Sequence, residues 1–587
     1  MNNKENIKSV IEKASKKDYL YLFYFVIAFL LFGSLGVFDI VSNYINDSAS
    51  FSYFNLIIGI IFSLIAVFAL IYTLVFLFKP NKLIDLDFKN QSLIINKSFN
   101  RKTILPFNKI YFFDSGENYF FNFVFKYGTL KIYSIYGECF KVRYLNNALT
   151  VKKTFDLLLG TSTKNIYATN KFVLFFIRLF QYFLTICLRF VYHKKPKVLS
   201  NYSTLSEILK NKNIRRVLIV ESKTIYEKNL NKQLIDSLNE NGILFHEFFN
   251  VHRNPIIEDV NNGKNLYLEN NCQAIIAIGG GSVIDASKAI ASIVYTNKPL
   301  NKFKGYIKIH HKVPLLVAIP TTCGTGSETT FVSVITDENT KTKFEIVSNK
   351  ITPTYAILDS TLLNSLPINL IASTSMDAFS HALESYLNIT RTFKTKKQSL
   401  FAMRLIVESI LKVKEEPTNN IYKANLMSAS HIAGQAFNTA LVGPIHALAH
   451  ALGGKYNLDH GYLNAILMPR FLRVYLFGLY KDMNNISKYC KISNDKNIHI
   501  NAKELISFVD KVNLTYEFKD YIDELKREDI HELALKAYNE AHLMYPSKKF
   551  VNLAMYEDIL VSLLRKWDKY GRSLFRKRRL IRWKRSN

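Results

Sequence analysis

The chain has 587 residues, 49% of them hydrophobic, with 77 Lys+Arg against 47 Asp+Glu and a formal charge of +30. That length accommodates several domains with large cores, and the basic excess points to an anionic partner, either a membrane face or nucleic acid. Five scattered cysteines without CxxC spacing exclude a disulfide scaffold and a cysteine-rich zinc site, so any metal must be held by histidines and carboxylates.

Two apolar runs come first, residues 19–42 and 53–78, the second without a charged residue. Each reaches the roughly 20 residues that cross a hydrocarbon core. The length of the first and the presence of the second argue against a cleaved signal peptide. Lys4, Lys13, Lys16 and Lys17 precede the first run and Lys79 and Lys82 follow the second, while residues 43–52 contain neither Lys nor Arg. The positive-inside rule therefore predicts a transmembrane hairpin over 1–80 with both ends, and everything after it, in the cytoplasm.

Residues 81–160 alternate in short strand-like runs, LIDLDF, SLIINK, KIYFFD, YFFNFVFKY, TLKIYSIY and CFKVRYL, and close on the helix-like ALTVKKTFDLLLG. This pattern resembles the small PH-like domains that bacteria place after membrane hairpins, and it implies a binding or tethering role. The next apolar run, 172–192, carries Arg178, Gln181, Thr185 and Arg189 three, four and four residues apart, a single polar stripe on a helix. Over 170–195 we expect an amphipathic helix lying in the plane of a membrane. The alternatives are a true span, costly with two arginines, and a helix buried in protein.

From residue 196 strands and helices alternate. AIIAIGGGSVIDASKAIA (274–291) is an apolar strand, a glycine turn and a helix. Gly279, Gly280 and Gly281 let the backbone approach a ligand, Ser282 sits at a helix N-terminus that favours pyrophosphate, and Asp285 falls in the first turn. LLVAIPTTCGTGSETT (315–330) places hydroxyls and glycines at the end of a second strand, where open α/β sheets bind ligands.

Together, GGGSxxDxxK followed by PTTxGTGSE resembles the iron-containing (group III) alcohol dehydrogenases, which share the dehydroquinate-synthase-like fold. The resemblance runs over about 195–565 and takes in Asn254–Pro255, Lys343, Asp359, Pro367, MDAFSHALESY (376–386) and HALAHALGGKYNLDHG (446–461). It implies a Rossmann-like NAD(P)-binding domain over 196–368 and an all-helical metal-binding domain over 369–564. Cofactor contacts then fall at Asn254, Gly280, Gly281, Ser282, Asp285, Thr321, Thr322, Thr330 and Lys343. Where the family often has an aspartate for the adenosine ribose, this chain has Ser222, which tolerates a 2′-phosphate, so NADPH stands beside NADH. Cys323, where a small residue is common, reads as a neutral packing change.

Asp377 and His381 are four apart, on one helical face. Alone they read as a buried polar pair; the resemblance makes them metal ligands, with His446 and His460 completing the set. Three imidazoles and a carboxylate suit Fe²⁺ or Zn²⁺. Glu384 becomes a support for a ligand rather than a ligand. His450, on the face of His446, is left as the catalytic group that relays the alcohol proton. His252, His310, His311 and His431 match no motif and read as packing or surface residues.

The last stretch, 565–587, carries eleven Lys or Arg interleaved with Trp567, Tyr570, Phe575 and Trp583. Beside a membrane hairpin this basic tail is expected to contact membrane lipid, with nucleic acid disfavoured and a merely solubilising tail as the plain alternative. The reading is thus a membrane-anchored, metal-dependent NAD(P)-linked dehydrogenase for a small-molecule alcohol or aldehyde. The competitors are a same-fold glycerol dehydrogenase or lyase and a non-catalytic membrane scaffold. A homo-oligomer is left open.

Overall fold

The computed structural model describes residues 84–87, 90–96, 102–107, 110–117, 127–134, 139–146, 171–191, 194–338 and 342–565, with the single positions Val67, Val151 and Phe155. Apart from Val67 and Arg565, the hairpin predicted over 1–80 and the basic tail lie outside the described residues. The chain divides into two compact units, 1–168 with 582–587, and 169–581.

In the first unit, β1 (Ile84–Asp87), β2 (Ser92–Asn96) and β3 (Lys102–Pro106) form one antiparallel sheet. A second consists of β4 (Ile110–Glu117), β5 (Tyr127–Ser134) and β6 (Cys139–Asn146). Ile84 and Leu86 are buried and alternate with half-buried Asp85 and Asp87, the period of two expected of a strand with one covered face. The sequence pattern missed β3, whose KTILP has only two large apolar residues. The strand predicted over 119–127 reaches the described residues only at Tyr127, where β5 begins.

The second unit opens with α1 (Lys171–Val191), and here the polar stripe faces the other way from the expectation. Its side chains meet protein, not water. Gln181 is 2% exposed and donates to the carbonyls of His542 (2.9 Å) and Tyr545 (3.1 Å). Arg178 donates to Gln181 Oε1 and the Ser547 carbonyl, Arg189 to the Thr390 carbonyl, and Tyr182 to the Ile389 carbonyl. The cause is local. The helical partner of the His542 carbonyl would be the N–H of residue 546, and Pro546 has none, so the acceptor needs a side-chain donor. Leu179, Phe180, Phe183 and Ile186 are left exposed. Among the described residues, α1 included, no helix is long and apolar enough to cross a membrane.

After α1 come β7 (Lys197–Leu199), α2 (Tyr202–Asn211), β8 (Arg216–Glu221), α3 (Lys223–Glu227), α4 (Lys232–Glu240), β9 (Leu244–Phe248), α5 (Ile257–Glu269), β10 (Ala274–Gly279) and α6 (Gly281–Ile293). They are followed by β11 (Gly305–Tyr306), β12 (Leu315–Pro320), β13 (Val332–Asp337), β14 (Thr342–Val347) and β15 (Tyr355–Ile357). Six of these strands make a parallel sheet in the order β7-β15-β12-β10-β8-β9. The apolar runs of β8, β10 and β12 are buried on both faces, as helix-covered parallel strands require. From β8 the chain steps outward to β9 and then returns to β10 on the other side of β8. The crevice at the carboxyl ends of β8 and β10 is therefore the switch point where such sheets bind ligands.

The remainder is helical: α7 (Ile368–Leu387), α8 (Phe393–Ser409), α9 (Lys412–Glu415), α10 (Asn420–Ala440), α11 (Pro444–Tyr456), α12 (His460–Tyr489), α13 (Ile498–Thr515), α14 (Ile530–Met544) and α15 (Leu553–Val561). α7 runs through the centre, packed on α8, α10 and α12, with Met376, Phe379, Leu383 and Tyr386 in one continuous core. Gly326, at φ +58°, lets the loop after β12 touch α10; a Cβ there would lie 2.8 Å from the Gly434 Cα. That contact seats the glycine-rich loop against the helices.

Candidate active site

Three helices converge on one buried cluster. α7 supplies Asp377, His381 and Glu384 from one face, α11 supplies His446 and His450, and α12 begins at His460, capped by Asp459 accepting from the Tyr462 N–H. Asp377, His381 and His446 each offer a donor atom, all within 4.8 Å of one another. His460 Nε2 is 3.5 Å from Asp377 Oδ1 but does not join that mutual group. Phe437 stacks on His381 with ring centroids 4.1 Å apart and so fixes its plane.

Glu384 holds His446 in place. Its carboxylate accepts from the N–H groups of Gly443 (2.8 Å) and Ile445 (2.7 Å) at the start of α11, and from His446 Nδ1 (2.6 Å). A carboxylate only accepts, so Nδ1 carries the proton and Nε2 faces Asp377. Gly443 admits this arrangement because a Cβ there would stand 2.7 Å from Glu384 Oε1.

The electrostatics call for a cation. Burial opposes ionisation of Asp377, yet the surrounding histidines hold its carboxyl well below the usual range. Burial pulls His381 and His460 down to about 3, keeping both imidazoles neutral. His446, against the pull of burial, is raised to about 9 by Asp377 and Glu384, so positive charge is favoured beside Asp377. The neutral imidazoles of His381 and His460 beside an ionised carboxylate are protonation states a divalent ion needs, and His446 joins them by giving up its second proton to the ion. The sequence reading missed Asn464, one turn after His460. Its Nδ2 donates to Asp377 Oδ1 (2.7 Å) and lies 3.1 Å from His460 Nε2, while its buried Oδ1 has no partner among the described residues. The i, i+4 spacing of HGYLN was the available signal. The residues fit the ion.

His450 stands at the edge, with its ring stacked on His460 at 5.2 Å and its side chain 43% exposed. Its Nδ1 meets Glu540 Oε1 at 2.7 Å, and the same oxygen accepts from the Tyr545 hydroxyl (2.6 Å). Glu540 and Tyr545 belong to no sequence motif and were not foreseen.

At the crevice, Gly280 caps α6 without a side-chain bond, leaving first-turn N–H groups for an anion. Gly281 is needed because a Cβ would come within 2.9 Å of Thr325. Thr321 donates its N–H to the Gly279 carbonyl, and Gly280 lies against Thr322. Lys343 Nζ donates to Asn254 Oδ1 (2.8 Å), Asn254 donates to Asn457 at the end of α11 (3.1 Å), and the Ser282 hydroxyl donates to the Arg253 carbonyl. Asn254, Lys343, Ser282 and the glycines thus form one rim.

Asp285 and Thr330 lie beneath that rim. Asp285 accepts from Ser327 Oγ (2.6 Å) and the Val334 N–H (3.1 Å), and Lys288 Nζ donates to Ser327 Oγ, Thr330 Oγ1 and the Val332 carbonyl at 2.8–3.0 Å. Burial pulls Lys288 down to about 8, against the raising effect of Asp285 and Glu328. Ser222 caps α3, and Glu221 is buried on Asn231. Cys323 packs against Thr374 and Ser375. His431 is buried on Glu328 and Gln435.

The sequence model described as "Iron-containing alcohol dehydrogenase" matches residues 199–360, and "Fe-containing alcohol dehydrogenase family, C-terminal" matches 371–564. The chain is 31% identical to the NAD-dependent methanol dehydrogenase of Bacillus methanolicus over 338 residues, 57% of this chain and 88% of that protein. It is 34% identical to the 1,3-propanediol dehydrogenase of Citrobacter freundii over 268 residues, 46% of this chain and 69% of that protein. Among solved structures it resembles an alcohol dehydrogenase from Oenococcus oeni, with a TM-score of 0.60 at 28% identity, covering 63% of this chain and 98% of the other.

Proposed function

Because this chain belongs to the iron-containing alcohol dehydrogenase family, which uses iron and NAD(H), we propose that it interconverts a small alcohol and its aldehyde from a membrane-attached position. The observation that carries the chemistry is the convergence of Asp377, His381 and His446 in one buried cluster beside His460. Asp377, His381, His446 and His460 would hold the ion. When bound, iron supplies Lewis acidity at the alcohol or aldehyde oxygen, and NAD(H) supplies the hydride chemistry.

The chain's own residues do the rest. Glu384 fixes the His446 tautomer and Phe437 the plane of His381, so the donor atoms are set before any ligand arrives. The uncapped start of α6 takes pyrophosphate, with Asn254 and Lys343 on its rim. His450 moves the alcohol proton between the site and solvent, and Glu540 holds its Nδ1 so that Nε2 is free for the exchange. Ser222 in place of an acid leaves room for a 2′-phosphate, so NADPH is proposed alongside NADH.

Membrane attachment rests on the uncharged run 53–78, the apolar run 19–42 with its lysine flanks, and the basic tail. It would hold the catalytic unit on the cytoplasmic side, near lipid-derived aldehydes. The test is metal analysis of the purified full chain combined with NADH and NADPH oxidation over short- and long-chain aldehydes. Bound iron with turnover that is lost in Asp377→Ala is the expected result. A chain that binds no metal and oxidises neither cofactor would overturn the catalytic reading.

A further inference from the structure

α1 shows an uncommon division of labour. Its hydrogen-bonding residues are consumed by the catalytic unit, through Gln181 on the carbonyls of His542 and Tyr545 and Arg189 on that of Thr390. The helix is therefore tied to the catalytic unit from Arg178 to Arg189. What it presents outward is apolar: Leu179, Phe180, Phe183 and Ile186 are 46–64% exposed, and Leu179, Phe183 and Ile186 are spaced four and three apart, on one face. A contiguous apolar face of this kind marks an interaction site.

The surroundings say what covers it. At the C-terminal end of α1, just past Thr390, Phe393 is 73% exposed with the Lys397 ammonium 4.5 Å from its ring centroid. Lys195 follows the helix and stands beside Lys394. Exposed apolar side chains on α1 with lysines past its C-terminal end match a bilayer with anionic headgroups, acyl chains taking the former and phosphates the latter. Pairing with a second copy through this face would bring two sets of the same lysines toward one another.

We propose that the exposed face of α1, with Phe393 and the lysines Lys195, Lys394 and Lys397, is a docking surface that seats the catalytic unit on an anionic lipid bilayer. The inference rests on the anchoring reading above for the nearness of a bilayer, but concerns a separate contact. The helix lies on the membrane and does not cross it.

The test uses the full chain in vesicles of phosphatidylcholine and phosphatidylglycerol. Cys139 and Cys187 are replaced by Ser, and Cys272, Cys323 and Cys490 are buried and can stay. An environment-sensitive fluorophore is placed on Phe183→Cys, or on Leu514→Cys, an exposed apolar position on α13 that serves as control. Nitroxide-labelled lipid is expected to quench most of the emission at 183 and none at 514. The variant Lys195→Glu/Lys394→Glu/Lys397→Glu is expected to lose that quenching while keeping its thermal unfolding temperature. Emission at 183 that stays unquenched in a chain recovered with the vesicles would overturn this inference and leave the anchoring reading standing. Absence of the chain from the vesicle fraction would overturn the anchoring reading itself. A label at 183 that is shielded with rising protein concentration but not quenched by lipid would make a second copy the occupant and also overturn the proposal.

Discussion

Glu384 shows how much one carboxylate organises. It accepts two N–H groups at the start of α11 and the Nδ1 proton of His446, so from the last turns of α7 it starts another helix and orients a ligand. Residues of this type commonly support metal affinity by about 10–100-fold. Glu384→Ala is expected to weaken iron binding by about that factor, read by competition with a chelator of known affinity, because His446 loses the partner that orients it while Asp377 and His381 stay in place. Its role was legible because it lies one helical turn after His381. Asn464 likewise lies one helical turn after His460, four residues on, but escaped notice, because an amide is neither an obvious ligand nor an acid. A second residue-scale consequence concerns Glu221. Burial first, and then Glu247 opposite it across Asn231, push its pKa up. The folded chain keeps a proton that the unfolded chain gives up. Stability from this group is therefore full below the ordinary value of 4.5 and is lost as pH climbs through the raised one. Glu221→Gln is expected to flatten the fall of Tm with rising pH, each kcal/mol recovered being worth roughly 2–4 °C in a large domain.

Among the elements, α6 and the loop after β12 are joined by a buried knot that GGGSxxDxxK and PTTxGTGSE encode but do not explain. The family resemblance makes Asp285 a cofactor contact. In the fold both its oxygens are engaged from below, by Ser327 and the Val334 N–H, and Lys288 bonds Ser327 and Thr330 beside it. A motif thus reports which residues travel together, not the bonds they make with one another. Removing one partner from a buried charged pair costs about 3–5 kcal/mol. Lys288→Met is expected to lower stability toward that range and to weaken NADH binding through movement of the loop carrying Thr321 and Thr322. Thermal unfolding and a fluorescence titration below the transition would measure the two effects. The same lesson holds for α1. The spacing of Arg178, Gln181, Thr185 and Arg189 revealed a polar stripe, but periodicity cannot say whether a stripe faces water or carbonyls. That depended on Pro546, some 360 residues away in sequence.

At the scale of the molecule, the parallel sheet and the helical bundle were readable because their signals are dense. VLIV, AIIAI and LLVAI are buried strands, and Asp377, His381 and His446 come together in one buried cluster. The first unit was readable only as alternation, which yielded most of its strands and missed β3. What no local pattern could supply is how α1 meets the helical domain of its own unit. Gln181 bonds the Tyr545 carbonyl, the Tyr545 hydroxyl bonds Glu540, and Glu540 bonds His450, a chain from the surface helix to the edge of the active site. Gln181→Leu leaves the His542 carbonyl without its donor, and an unsatisfied buried acceptor costs about 1–3 kcal/mol. If the chain matters only for packing, the variant will unfold at lower temperature with kcat unchanged. We expect more than that. Loosening Tyr545 frees Glu540, so the imidazole of His450 is no longer held, while the aldehyde site and the cofactor rim are untouched. The expected outcome is a lower kcat at constant KM, with an altered dependence on pH, measured by steady-state turnover across pH for the full chain and for Gln181→Leu.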